Sequence, residues 1–168
     1  MPDITLRPAF PHESPLIFSF LTFAARMDES NEPIQKALTD HALVKYWQNW
    51  GEPTDLGIVA EPADLGYPVG CAWVRLFTGE EPGHGHVSDE VPELAFGVVN
   101  NLRNQGIGTL LLQRLLDDCR TRFPGVSLSV RQDNPVVRLY ERLGFSQHGA
   151  AFINRVGTSS MTMLLRFS

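Results

Sequence analysis

The feature that most constrains this chain is a join between a strand and a helix. Residues 93–99 read ELAFGVV, an apolar run suited to a strand. Residues 106–122 place Leu112, Leu115, Leu116 and Cys119 at i, i+3, i+4 and i+7, the stripe of an amphipathic helix that Pro124-Gly125 ends. Between them lies Arg103-Asn104-Gln105-Gly106-Ile107-Gly108-Thr109. The first amides of a helix lack carbonyl partners and sit at the positive end of its dipole, so such a join makes an anion site best suited to phosphate. Gly106 and Gly108 let an anion approach the backbone, although a G-x-G pair also fits tight helix–strand packing with no ligand. Neither Gly-Lys-Ser nor Gly-Lys-Thr is present, as a nucleoside triphosphate loop needs, and the third glycine of a dinucleotide fingerprint is missing.

The flanking pattern sets an alternating α/β (α+β) chain. A short strand at 3–7 precedes a helix at 14–26 carrying Leu16, Ile17, Phe20, Leu21 and Ala24, and a second helix is expected over 33–50, ended by Gly51 and Pro53. Strands follow at 56–61 and 69–77, then the irregular segment TGEEPGHGHVSDE. After the helix at 106–122 come a strand at 126–130, a helix at 135–143 that Gly144 terminates, and strands at 151–156 and 160–167. No repeat or linker divides residues 1–168, which are expected to form one domain.

Fourteen Lys and Arg against nineteen Asp and Glu leave a net charge of -5, giving no general attraction for nucleic acid or an anionic membrane. The start, MPDITLRPAFPHESP, lacks a signal-like pattern, and nowhere do about 18 apolar residues run unbroken, so a soluble, cytoplasmic protein is expected. Cys71 and Cys119 have no metal-ligand neighbours and read as buried free thiols. His84 and His86 stand at H-x-H spacing without a supporting carboxylate, so an exposed, flexible loop is expected there and no metal.

The pattern Arg103-x-x-Gly106-x-Gly108, a helix, VSLSV, then Asn134, Tyr140 and Leu143-Gly144-Phe145 resembles the acetyl-CoA-binding half of the GNAT N-acetyltransferase superfamily over residues 91–146. The resemblance implies a mixed, mostly antiparallel central sheet of about seven strands with helices on both faces. It implies that backbone amides of Arg103, Asn104, Gln105, Gly106, Ile107, Gly108 and Thr109 hold the CoA pyrophosphate. The pantetheine arm would lie along the 95–99 strand, at Val98 and Val99, with Asn134 touching it, where that strand splays from VSLSV. Two residues depart from the common pattern: Asn100 stands where the family often has Pro, and Asn104 where it often has Gly. Asn is the non-glycine residue that best tolerates a left-handed backbone.

Moving an acetyl group from a thioester to an amine needs an uncharged nucleophile, polarisation of the carbonyl and an acid for the thiolate. The resemblance places Tyr140 near the CoA sulfur as that acid; otherwise its ring simply fills core beside Leu139 and Leu143. Glu93 opens the strand where many relatives carry a base acting directly or through water; otherwise it is a surface acid after Pro92. Asn134 before Pro135 also suits an N-cap. Arg131 and Asp133 read most simply as solvated. By the same resemblance, segments 27–33 and 154–159 wall the acceptor site, and Asp28, Glu29 and Glu32 suggest a cationic amine acceptor, small molecule or peptide. Relatives often dimerise through sheet edges, so a homodimer is one expectation. The reading is therefore an acetyl-CoA-dependent N-acetyltransferase working by direct attack, and its alternative is a catalytically silent acyl-CoA-binding module.

Overall fold

Alternation along the central strands sorts their apolar side chains onto two faces, and a helix covers each. In the computed structural model, which describes residues 3–27 and 29–168, the order is β1 (Ile4–Pro8), α1 (Ser14–Ala24), α2 (Lys36–Thr39), α3 (His41–Val44), β2 (Leu56–Pro62), β3 (Gly70–Arg75) and β4 (Glu93–Val98). A 3-10 turn (Asn100–Leu102) leads to α4 (Ile107–Arg120), β5 (Gly125–Arg131), α5 (Val137–Arg142), β6 (Ser146–Ile153) and β7 (Ser159–Arg166). Among the described residues seven strands form one sheet in the order β1-β2-β3-β4-β5-β7-β6. Only the β4–β5 pair is parallel.

Ile58, Ala72, Val74, Leu94 and Val98 face α4, where Ile107, Leu111, Leu112 and Leu115 meet them. Val59, Cys71 and Trp73 face the other way, against Ile17, Phe20 and Leu21 of α1. Burying each large apolar side chain contributes about 1.5–3 kcal/mol, so these two layers supply most of the drive to fold. Both cysteines are free and buried, as expected. No helix among the described residues is long and apolar enough to cross a membrane.

The long helix expected over 33–50 is instead two short ones. Asp40 leaves helical geometry at ψ 115°, and its carboxylate accepts from the Ala42 amide at 3.0 Å, capping α3. Beyond α3, the buried Arg75 guanidinium donates to the carbonyls of Lys45 (3.0 Å) and Gln48 (2.6 Å), fixing 45–49 as turns. The strand expected at 151–156 begins earlier, at Ser146, and ends at Ile153. Asn154 stops it, because its side-chain oxygen accepts from the amides of Val156 and Thr158 and closes a turn.

Helix α1 lies close on β4 because Gly97 has no side chain. A Cβ there would stand 2.7 Å from the Phe20 carbonyl oxygen and 2.8 Å from the Phe23 Cβ. This approach brings the chain after α1, including Arg26, to the cleft described next. Gly97→Ala should force α1 off the sheet and destabilise the protein by about 1–3 kcal/mol in urea unfolding. An unchanged midpoint would show that α1 shifts freely.

Candidate active site

Strands β4 and β5 touch at one place. Their single paired position is Glu93 with Ser127, beside a Ser127 N–H bond to the Pro92 carbonyl at 3.0 Å. Beyond it β4 stays with β3 along Gly70–Arg75, while β5 stays with β7 along Ser159–Arg166. The two strands therefore part. Because Pro92 C=O points to β5 and Val99 N–H bonds back to Val69 O at 2.9 Å, strand alternation turns the backbone groups of Leu94, Phe96 and Val98 toward the gap. Of the two valines expected to meet a ligand arm, Val98 thus offers backbone groups, whereas the Val99 amide is already committed.

Two cavities meet at this gap. One, of about 580 Å³, opens over Arg103, Asn104, Gly106, Ile107, Gly108 and Thr109. Asn104 adopts φ 63° and Gly106 φ 85°, so Asn indeed takes the left-handed place that a glycine often fills. These two turns aim the start of α4 at the cavity. Leu110 N–H bonds Gly106 O at 3.1 Å, no side chain caps the helix from Gly106, and the amides of Ile107, Gly108 and Thr109 come before that first closed turn. Gln105 lies exposed between the two left-handed residues. Gly108 itself serves packing: a Cβ would meet the Phe96 ring at 3.0 Å, so its bare face points to the sheet rather than to an anion.

The other cavity, of about 440 Å³, holds Glu93 and Tyr140 together. They arrive from opposite faces of the sheet, Tyr140 from the α4 layer and Glu93 from the layer of Tyr46 and Trp73. Tyr140, Phe96, Asn134 and Arg26 line both cavities and so mark their junction. The Tyr140 ring packs edge-on to Phe96 and Phe145, and burial pushes its phenol above the ordinary value against a smaller opposing pull from Arg26. Core packing and a place at the junction coexist. Asn134 likewise does two things: its Oδ1 accepts from Val136 N–H at 3.0 Å and from Arg26 Nη2 at 3.2 Å.

Glu93 is not a surface acid; it is 2% exposed. Its Oε1 accepts from the Gly85 amide at 2.7 Å and the Tyr46 hydroxyl at 3.1 Å, and that hydroxyl accepts from the His84 amide at 2.8 Å. Its Oε2 is buried with no hydrogen-bond partner among the described residues. The segment around His84 is correspondingly a packed strap rather than the exposed loop expected. A Cβ on Gly83 would collide with Glu93 Oε2, and one on Gly85 would stand 2.5 Å from the Leu128 carbonyl carbon, so the strap fits only because it carries glycines. The His84 side chain lines the cavity, and burial, helped by Lys45 and Arg155, lowers it to about 4, which leaves it neutral at neutral pH. No group of three or more His, Cys, Asp or Glu among the described residues is arranged to hold a metal.

Tyr46 was invisible as a site residue in the sequence, where it reads as one more aromatic in HALVKYWQNW. The acids of 27–32 also differ from expectation. Glu29 is held by Arg26, by Arg131 at 3.2 Å and by Arg103 at 3.6 Å, and Glu32 by Arg155 and by Lys36 at 3.8 Å. They neutralise arginines instead of forming a free negative wall; Asp28 lies outside the described residues. Arg131 lines the cavity, while the Asp133 side chain is solvated.

Burial raises Glu93 above its ordinary 4.5, with the bonds from Gly85 and Tyr46 opposing. The folded protein thus holds this proton more tightly than the unfolded chain, and stability is lost as pH climbs from about 4.5 through the raised folded value. Glu93→Gln escapes that loss, so its melting temperature should gain on the wild type from about pH 4 to about pH 8. Parallel melting profiles would mean that Glu93 ionises normally.

The sequence profile of the Acetyltransferase (GNAT) family matches residues 23–145. No curated protein sequence matches. Among solved structures the chain is similar to a GCN5-related N-acetyltransferase from Kribbella flavida (23% identity, 98% of each chain, TM-score 0.68). It is also similar to a ribosomal-protein-alanine N-acetyltransferase from Brucella melitensis (20% identity, 97% of this chain and 99% of the other, TM-score 0.69). A third is the ribosomal-protein-S18-alanine N-acetyltransferase from Escherichia coli (18% identity, 99% of this chain and 95% of the other, TM-score 0.63). At these identities the structural likeness speaks to the fold. The profile match spans the parted strands, the strap over Glu93 and the opening of α4, and so the chain belongs to the Acetyltransferase (GNAT) family.

Proposed function

We propose that this protein is an N-acetyltransferase that moves the acetyl group of acetyl-CoA onto a primary amine by direct attack. The observation that carries this reading is the parting of β4 from β5 beyond Glu93, with an amide-lined helix start on one side and Glu93 and Tyr140 on the other. The residues fit the donor. Amides of 104–109 suit the pyrophosphate, the Arg103 amide being bonded to the Asn100 carbonyl at 3.3 Å, and the backbone groups of Phe96 and Val98, beyond the Glu93–Ser127 pair, suit a pantetheine arm as an added strand would. Asn134, at the junction of the cavities, stands beside that path.

In the reaction the amine nitrogen bonds to the acetyl carbon as the carbon–sulfur bond breaks. The amine proton passes toward Glu93, whose raised affinity for protons suits a base working near neutrality. Because Gly83 and Gly85 cover the carboxylate, its route to the cavity runs through the Tyr46 hydroxyl, which already donates to Oε1. Tyr140 meets the leaving thiolate. Burial makes this phenol a weaker acid than a thiol of about 8.5, so Tyr140 stabilises the departing sulfur by donating a hydrogen bond to it as it takes the charge and keeps its own proton.

Release of free thiol from acetyl-CoA across a panel of amines tests the activity. Tyr140→Phe keeps the ring and should leave CoA affinity and melting temperature nearly unchanged, while turnover falls by roughly 10²-fold to 10⁴-fold. Near-normal kcat with chemistry rate-limiting would remove Tyr140 from that role. Tight CoA binding with no turnover on any amine would instead support a silent acyl-CoA-binding module.

A further inference from the structure

The wall of the cavity that holds Glu93 and Tyr140 carries three guanidinium groups, those of Arg26, Arg131 and Arg155. They come from three separate places in the chain: the turn after α1, the end of β5 and the turn between β6 and β7. Each side chain is largely shielded, at 24%, 29% and 19% exposure. Among the described lining residues the one carboxylate is Glu93, which its strap covers.

The acids behind these arginines are shared with other cations. The ion pairs form two groups: Arg26, Arg103 and Arg131 on Glu29 and Asp133, and Arg155 and Lys36 on Glu32. Glu29 is shared among three guanidinium groups, and its two oxygens cannot satisfy the five N–H donors that each carries. Arg155 uses only Nη1 among the described residues. A partly desolvated guanidinium with unused donors favours an oxyanion and repels a polycation. The cavity is also lined by apolar Leu21, Leu43, Phe152 and Val156.

We propose that the acceptor is an amine that also carries an oxyanion, a carboxylate on a short apolar skeleton, with the anionic group held by Arg131 and Arg155 beside Arg26 and the amine turned toward Tyr46 and Glu93. The proposal rests on the acetyl-transfer reading above and narrows it to amino carboxylates, away from polyamines.

Two measurements test it, and only one depends on turnover. With CoA present, calorimetry should show 4-methylpentanoate binding at least tenfold more tightly than 4-methylpentanamide, which has the same skeleton and no charge. Arg131→Gln and Arg155→Gln should each weaken the acid at least tenfold, Arg155→Lys should lose less, and Arg114→Gln on the outside of α4 should change nothing. Equal binding of acid and amide by the wild type would overturn the proposal whether or not the variants fold, and so would acid binding unchanged in both folded Gln variants. In the turnover arm leucine should exceed leucinamide and spermidine in kcat/KM by at least tenfold; faster spermidine would overturn the proposal. Acid-selective binding without thiol release from any amine would uphold the anion site and defeat the acetyl-transfer reading.

Discussion

The rest of this molecule depends on one parallel pair between β4 and β5 that is not continued. Backbone groups in a strand must be paired or solvated, so a sheet normally closes such a gap. Here each strand already has a full antiparallel partner on its other side, β3 for β4 and β7 for β5, and those ladders hold the two halves in divergent directions. The Glu93–Ser127 pair keeps the halves in one sheet and acts as the apex of the opening. Everything chemically interesting lies along the two arms of that opening: the start of α4, the Tyr140 ring, the Asn134 turn and the arginine-bearing wall.

A buried carboxylate at the apex is costly unless hydrogen bonds reach it. The strap and Tyr46 meet that requirement for one oxygen only and leave Oε2 without a partner among the described residues. The result is a group whose proton is held more tightly than usual, in a place that helix, strand and loop all constrain. Trp73 reinforces the arrangement from below, since its Nε1 donates to the Tyr46 carbonyl at 3.0 Å and so fixes the residue that faces Glu93.

Local features were the most legible in the sequence. The strand–loop–helix join around Gly106 depends on neighbours a few positions apart, and its expected left-handed backbone at Asn104 is present. The amphipathic stripe of α4 and the two-faced sheet follow from periodicity in the same way. What sequence could not supply were contacts between distant segments. Tyr46 meets Glu93 across 47 positions, Arg26 meets Asn134 across 108 and Arg155 meets Glu32 across 123, and no spacing rule connects them. Glu29 and Glu32 were misread for this reason: their charge was visible and their partners were not. The break at Asp40 had a local cause, a capping carboxylate, but the apolar pattern on either side of it masked the signal. The glycines of the strap read as flexibility, whereas the fold uses their small size to lay backbone on backbone.

Glu29 touches Arg103 at the mouth of one cavity and Arg26 and Arg131 on the wall of the other. A single carboxylate shared in this way makes the two sites thermodynamically linked. Any charge that draws Arg103 elsewhere leaves more of Glu29 to Arg26 and Arg131, and any anion that engages those two returns Glu29 to Arg103. Reciprocity requires the two effects to be equal in size, so a charge placed in either cavity is felt in the other with the same energy. Whichever cavity is charged first, the coupling carried by this one side chain is the same.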